Sequence, residues 1–440
     1  MFRFFVILFS CFSLALHADL VVRVKSAENL APLFLAPLHP EESDFSPTYV
    51  QQLTQILQFD LKNNGQCFLA ETTAEREMLS SEQNPYQQMK WRNLGIDYFV
   101  KPSLRQHSFS LFAFNVATGS VKKMQDLSLC GDLSKDRQII HKAADLICAT
   151  LFGEEGIASS RILYTLRTRP SESSLQWVTE VWEADYDGSN AHQLTHDGYL
   201  CVTPAYITDH QFLYVSYKIG QPKIYWGSTA GGEAKRLSYI RGNQLMPTLS
   251  SKQDKIAFIC DVTGNPDLFV QDFSLESGMI GKAQQIFSAP QAAQGCPTFS
   301  PDGKKIAFVS NKDGTARVYV MTIPSIGTNL KDLHPHIISR KNHNNTSPCW
   351  SPDGKKIAYS ATCQGVRQIW IYDFESGEES QLTEGNEHKE NPTWASNSLH
   401  LLYNTVMQDR CELYLTNINQ KEGVKISSGP GEKRFPAWQP

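Results

Sequence analysis

The stretch Pro297-Thr-Phe-Ser-Pro-Asp-Gly-Lys-Lys-Ile-Ala-Phe-Val-Ser310 recurs almost letter for letter as Pro348-Cys-Trp-Ser-Pro-Asp-Gly-Lys-Lys-Ile-Ala-Tyr-Ser360, and no other feature limits the fold so tightly. Each copy reads as a strand bearing an aromatic residue, a tight turn, and a strand of apolar residues. In the turns Ser300-Pro301-Asp302-Gly303 and Ser351-Pro352-Asp353-Gly354, proline presets one φ and glycine accepts the left-handed conformation at the exit. Worn copies begin at Pro204, Pro247 and Pro392, and the segment Phe435-Pro-Ala-Trp438 carries the opening strand alone. The six prolines 204, 247, 297, 348, 392 and 436 are spaced 43, 50, 51, 44 and 44 apart. A repeat of that length with several β-runs per unit predicts a β-propeller.

Each unit also has a third strand, such as Asp267-Leu-Phe-Val270, Arg317-Val-Tyr-Val320 or Gln368-Ile-Trp-Ile371. Each ends in a short fourth, such as Lys235-Arg-Leu-Ser238 or Ser380-Gln-Leu-Thr383. The first unit, from Arg161, lacks its own opening strand, whereas Phe435–Trp438 is an opening strand without a unit. The economical solution joins them, so that the C-terminal strand completes blade one and closes a six-bladed ring. Closure removes the sheet edges that an open array would leave unpaired.

Upstream of the repeats the pattern changes. Residues 1–18 have a basic start, a short apolar run and a small residue before Asp19, the make-up of a secretory signal peptide. Residues 19–155 interleave strands with helices and predict one α/β domain; residues 156–440 form the propeller. A helix is expected with Ser46 as cap, Pro47 at its first position and Val50, Leu53, Leu57 and Leu61 on one face. A second is expected to be capped by Asn84, to start at Pro85 and to stop at Gly95. A third runs from about Ser134 to Phe152, and Gly153-Glu-Glu-Gly156 is the expected joint.

Chemistry is hard to find in this chain. There is no G-x-S-x-G elbow and no H-E-x-x-H. None of the ten cysteines stands in a C-x-x-C pair, so neither a zinc knuckle nor a dithiol motif is present. Asp302 and Asp353 repeat, but turn geometry accounts for both. Trp350, Trp394 and Trp438 fit packing between neighbouring blades better than a stacking platform. These readings predict no catalytic residue, no metal and no cofactor. A net charge of −4 gives no reason to expect nucleic acid. The varied polar residues ahead of each opening proline, among them His343-Asn-Asn-Thr346, instead mark the rim of the channel as a recognition surface.

Signal peptide, α/β domain, Leu94-Gly-Ile-Asp97, Asn344-Asn-Thr-Ser-Pro348, the Ser-Pro-Asp-Gly-Lys-Lys turns and the terminal Phe-Pro-Ala-Trp together resemble the TolB family. That family belongs to the periplasmic part of the Tol–Pal envelope system of Gram-negative bacteria. The resemblance implies a non-enzymatic, monomeric periplasmic scaffold serving outer-membrane integrity and constriction during cell division. It implies that the propeller mouth binds the lipoprotein Pal, with Ala293, Gln294, Cys296, Asn345 and Thr346 as the matching positions. It further implies that the mature N-terminus, Asp19, Leu20, Val21, Val22 and Arg23, engages TolA, with other outer-membrane proteins as further partners. The rival reading is a solute- or peptide-binding propeller, or the accessory propeller of a peptidase.

Overall fold

A computed structural model describes residues 30–39, 43–124, 126–169, 176–325, 327–408, 410–420 and 422–440. The expected signal peptide and the segment Asp19–Arg23 lie outside the described residues.

The first domain is a mixed sheet with helices on both faces. Its elements are β1 (Ala31–Leu35), α1 (Pro47–Lys62), β2 (Cys67–Leu69), α2 (Ala74–Ser81), α3 (Gln88–Asn93), β3 (Tyr98–Arg105), β4 (Ser108–Asn115), β5 (Ser120–Lys123), β6 (Leu127–Ser128) and α4 (Leu133–Phe152). Strand order is β2-β1-β3-β4-β5, with β6 beside β4. The two pairings of β1 are parallel, as the intervening helices require.

Ser46 caps α1 by accepting the Tyr49 N–H at 3.3 Å, and Asn63, two residues before Gly65, closes it. Val50, Leu53, Leu57 and Leu61 are buried against α4 and the sheet. The helix expected at Pro85 begins only at Gln88. Residues 84–87 form an extended entry, in which Asn84 Oδ1 accepts the Tyr86 N–H. Helix α2 was not anticipated; it is short, polar and capped by Thr73, with only Leu79 as a buried apolar residue, so its apolar period is too weak to read.

The propeller has six four-stranded antiparallel sheets. Blade one takes Glu432–Trp438 as its innermost strand, paired antiparallel to Arg161–Thr168 from Arg167 down to Ile162. The seal is reinforced where Arg161 N–H donates to Gln439 Oε1 (2.8 Å) and Trp438 Nε1 donates to Ser160 Oγ (2.7 Å). Blades two to six open with Cys201–Thr208, Gln244–Leu249, Gln294–Phe299, His343–Trp350 and His388–Trp394. The aromatic residues read from the repeat pack between blades: Trp350 shares a core with Ala307 and Val320 of blade four while stacking on Phe374 of its own blade at 5.1 Å, and Trp394 Nε1 donates to the Cys349 carbonyl of the preceding blade. In the repeated turns, Ser300 Oγ bonds Asp302 and Ser351 Oγ bonds Asp353, so both aspartates serve the turn.

One apolar core runs from the first domain into the ring. It includes Leu53, Ile140 and Ile147 from the helices and Ala395, Leu402, Leu413, Ile426 and Trp438 from blades six and one. A polar cluster beside it fastens the joint. Asp60 accepts from Tyr186 Oη (2.7 Å) and pairs with His141 Nδ1 (2.8 Å), while Arg137 bonds Asp187 and Gln138 bonds Asp185 (2.6 Å). His141, Asp185 and Asp187 approach the spacing of metal ligands, but the Arg137 guanidinium already supplies the positive charge between those carboxylates.

Candidate interaction surface at the propeller mouth

In an antiparallel four-stranded blade, the loop into the first strand and the loop joining strands two and three lie at one end. The other two loops lie at the opposite end. The α/β domain occupies that opposite end. His400 Nε2 meets the Asn63 carbonyl (2.8 Å), Asn419 donates to the Gly65 carbonyl (3.1 Å), and Asn397 donates to the Glu155 carbonyl (3.4 Å). Asn397 and Asn419 sit in the turns after the first and third strands of blade six, and His400 begins the second strand at the same end. The end holding the residues ahead of each opening proline is therefore the open mouth.

A repeated device shapes its throat. The six residues before the opening prolines, Thr203, Met246, Cys296, Ser347, Asn391 and Phe435, all have φ between +47° and +56°. A register shift accompanies every one. Proline bars the residue before it from the right-handed helical region, and the bulge takes the left-handed alternative without a glycine. Neighbouring members touch around the ring: the Cys296 N–H points at Met246 Sδ (3.1 Å), and Ser347 Oγ donates to Asn391 Oδ1 (2.8 Å). Asn391 Nδ2 and the Phe435 N–H both donate to Asn404 Oδ1. A backbone conformation repeated at this cost, about 1–2 kcal/mol per residue, marks a throat whose shape is over-determined by the packing around it.

A second device braces the rim. Gln244, Gln294, Asn345, Lys389 and Lys433 each stand three residues before a proline and turn inward. Gln244 donates to the Ile240 carbonyl (2.9 Å), Gln294 to that of Ala292 (3.4 Å), Asn345 to that of Asn342 (3.3 Å), Lys389 to that of Glu384 (2.8 Å), and Lys433 to that of Gly429. Burial lowers the Lys389 pKa, because the ammonium has exchanged water for carbonyls.

The five mouth positions named from the sequence thus separate into two groups. Ala293 is exposed, with its N–H held by Asn311 Oδ1 (2.8 Å), while Cys296 and Thr346 are half-buried in the throat. Burial raises the Cys296 thiol pKa. Gln294 and Asn345 are buried at 5% and 0% exposure, and their side chains brace the chain just ahead of the opening strands. Sequence reasoning missed the throat bulges, although the fixed proline at each opening strand is their visible trace. A cleft of about 200 Å³ between blades one and two, lined by Thr195, Asp197, Phe212, Tyr214 and Lys218, is smaller than most small-molecule sites.

The comparisons with known proteins agree with this architecture. The family described as the TolB beta propeller domain matches residues 149–440, and the TolB amino-terminal domain matches residues 20–114. This chain belongs to the TolB family. It is 47% identical over 375 residues to the protein TolB homolog of Protochlamydia amoebophila, covering 83% of this chain and 80% of that one. It is 38% identical over 373 residues to the homolog from Chlamydia trachomatis serovar L2, covering 84% and 80%. The crystal structure of TolB from Acinetobacter baumannii superposes with a TM-score of 0.74 over 95% of this chain and 98% of that one, at 22% identity, and so shares the fold.

Proposed function

We propose that this TolB-family chain is a non-enzymatic periplasmic scaffold of the Tol–Pal system, exported by a cleaved signal peptide. In this reading the mouth binds the lipoprotein Pal, and Asp19, Leu20, Val21, Val22 and Arg23 engage TolA. The complex holds the outer membrane to the cell wall and draws it in at division. The observation that carries the reading is the braced, open mouth on the end away from the α/β domain. Its loops are held by buried struts, and rigid loops on a closed scaffold bind with little ordering cost. Ala293, Cys296 and Thr346 supply contact, and Gln294 and Asn345 set the loop geometry. Among the described residues no helix is long and apolar enough to cross a membrane.

Titration of purified chain with the periplasmic domain of Pal tests the mouth. Thr346→Ile, which puts a bulky apolar side chain in the throat, is expected to weaken binding at least tenfold while leaving the melting temperature within a degree or two. Equal affinity would remove Pal from this surface. Deleting residues 19–25 is expected to abolish TolA binding and leave Pal binding intact, and unchanged TolA affinity would refute the N-terminal role.

A further inference from the structure

The mouth is not uniform around its circumference. The loops at this end of blades one to three expose Trp177, Tyr199, Leu200, Ile219, Tyr239 and Val262. At the same end, blades four and five present Asn311, Lys312, Asp313, Arg340, Lys341 and Asn344. Trp177 is 40% exposed and Tyr239 80% exposed. Both are paired with guanidinium groups: Arg167 and Arg169 stack on Trp177 at 4.6 and 4.5 Å, and Arg236 on Tyr239 at 4.8 Å. Arg241 adds another exposed cation. The described carboxylates of these loops are already engaged, Asp197 by Lys218 (3.1 Å) and Asp261 by Asn243 (2.7 Å).

We propose that this arc on blades one to three is a second docking surface of the mouth, and that it takes an acidic polypeptide segment carrying bulky apolar side chains. The inference rests on the mouth being the protein-binding end and names a contact separate from the Thr346 sector. Tryptophan, tyrosine and arginine are the residues that dominate binding energy at protein interfaces. Here the arginines hold the rings in place before any partner arrives, which reduces the ordering cost. Arg167 already pairs with Glu432 (3.2 Å), but Arg236 and Arg241 have no carboxylate partner among the described residues; their charge selects a negative partner, and the apolar residues between them select one with hydrophobic anchors. A bilayer is the poorer fit, because a flat surface would meet the whole rim, and blades four and five present polar and charged residues there.

The test uses a short fluorescent peptide alternating glutamate with tryptophan, and its counterpart with lysine in place of glutamate. The full chain is expected to bind the acidic peptide at least tenfold more tightly than the basic one, with affinity falling as salt is raised. The exposed double variant Trp177→Ala/Tyr239→Ala is expected to lose about tenfold for the acidic peptide at an unchanged melting temperature. Thr346→Ile is expected to bind the peptide as the parent does, although it loses Pal. Equal affinity for the two peptides, or a double variant that binds as the parent does, would overturn the proposal. So would co-sedimentation with phosphatidylglycerol vesicles that the double variant loses. Failure of Pal to bind while the peptide still does would refute the Pal reading and leave this surface standing.

Discussion

His400 shows how a single side chain ties the two domains to pH. It is buried at the joint, with Nε2 donating to the Asn63 carbonyl and Nδ1 facing Asn397 Nδ2 at 3.0 Å. Burial, only partly opposed by the Asn63 hydrogen bond, lowers its pKa to about 4. In the unfolded chain the same imidazole titrates near 6.5. Between those values the unfolded state holds the extra proton, so stability is full above about pH 6.5 and declines as pH falls toward 4, by up to about 3 kcal/mol. Thermal melts from pH 7.5 to 5 are expected to show that decline, and His400→Gln is expected to flatten it; an equally steep decline in the variant would place the proton elsewhere. At this scale the sequence was only partly legible. Gln294 and Asn345 lie in polar, loop-like stretches, and nothing in composition separates a strut from a contact. Their burial depends on where the loop turns back, which is set by residues in the neighbouring strands.

At the scale of the element, strands were far easier to read than the short helices. The opening strands announce themselves by a proline followed two positions on by an aromatic residue, or by Leu249 in blade three, because each must satisfy similar packing in its blade. Helix α1 was legible from its cap and apolar face, whereas α2 has one buried apolar residue and α3 only Trp91, so neither repeats an apolar stripe. The strand Glu432–Trp438 carries the largest single consequence. Its Trp438 ring is buried in the core shared with the α/β domain. Trp438→Ala is expected to cost about 3–5 kcal/mol, read as a shift in the urea midpoint. Ending the chain before Glu432 is expected to lower the melting temperature further by leaving Arg161–Thr168 without its inner partner. A truncated chain melting with the parent would mean the ring closes some other way.

Across the whole molecule, the joint is a continuation of the core and not a hinge. The same apolar cluster spans helices α1 and α4 and blades six and one, and the Asp60–His141–Tyr186 and Arg137–Asp187 contacts are buried within it. Calorimetry is therefore expected to show one transition for both domains. Arg137→Ala is expected to move that single peak downward, because it leaves two buried carboxylates uncompensated. Two separable peaks in the parent protein would contradict a shared core. None of this cluster was foreseen, since its members lie far apart in the chain and meet only when the domain docks.

The clasp between Arg161 and Gln439 spans 278 positions. Three strands of blade one, the last ending at Gln193, are made long before the one that begins at Glu432. Until that last strand arrives the sheet is unfinished, with the flank of Arg161–Thr168 bare. The slowest folding step is therefore expected to be the arrival of that final partner, not the formation of any blade in between.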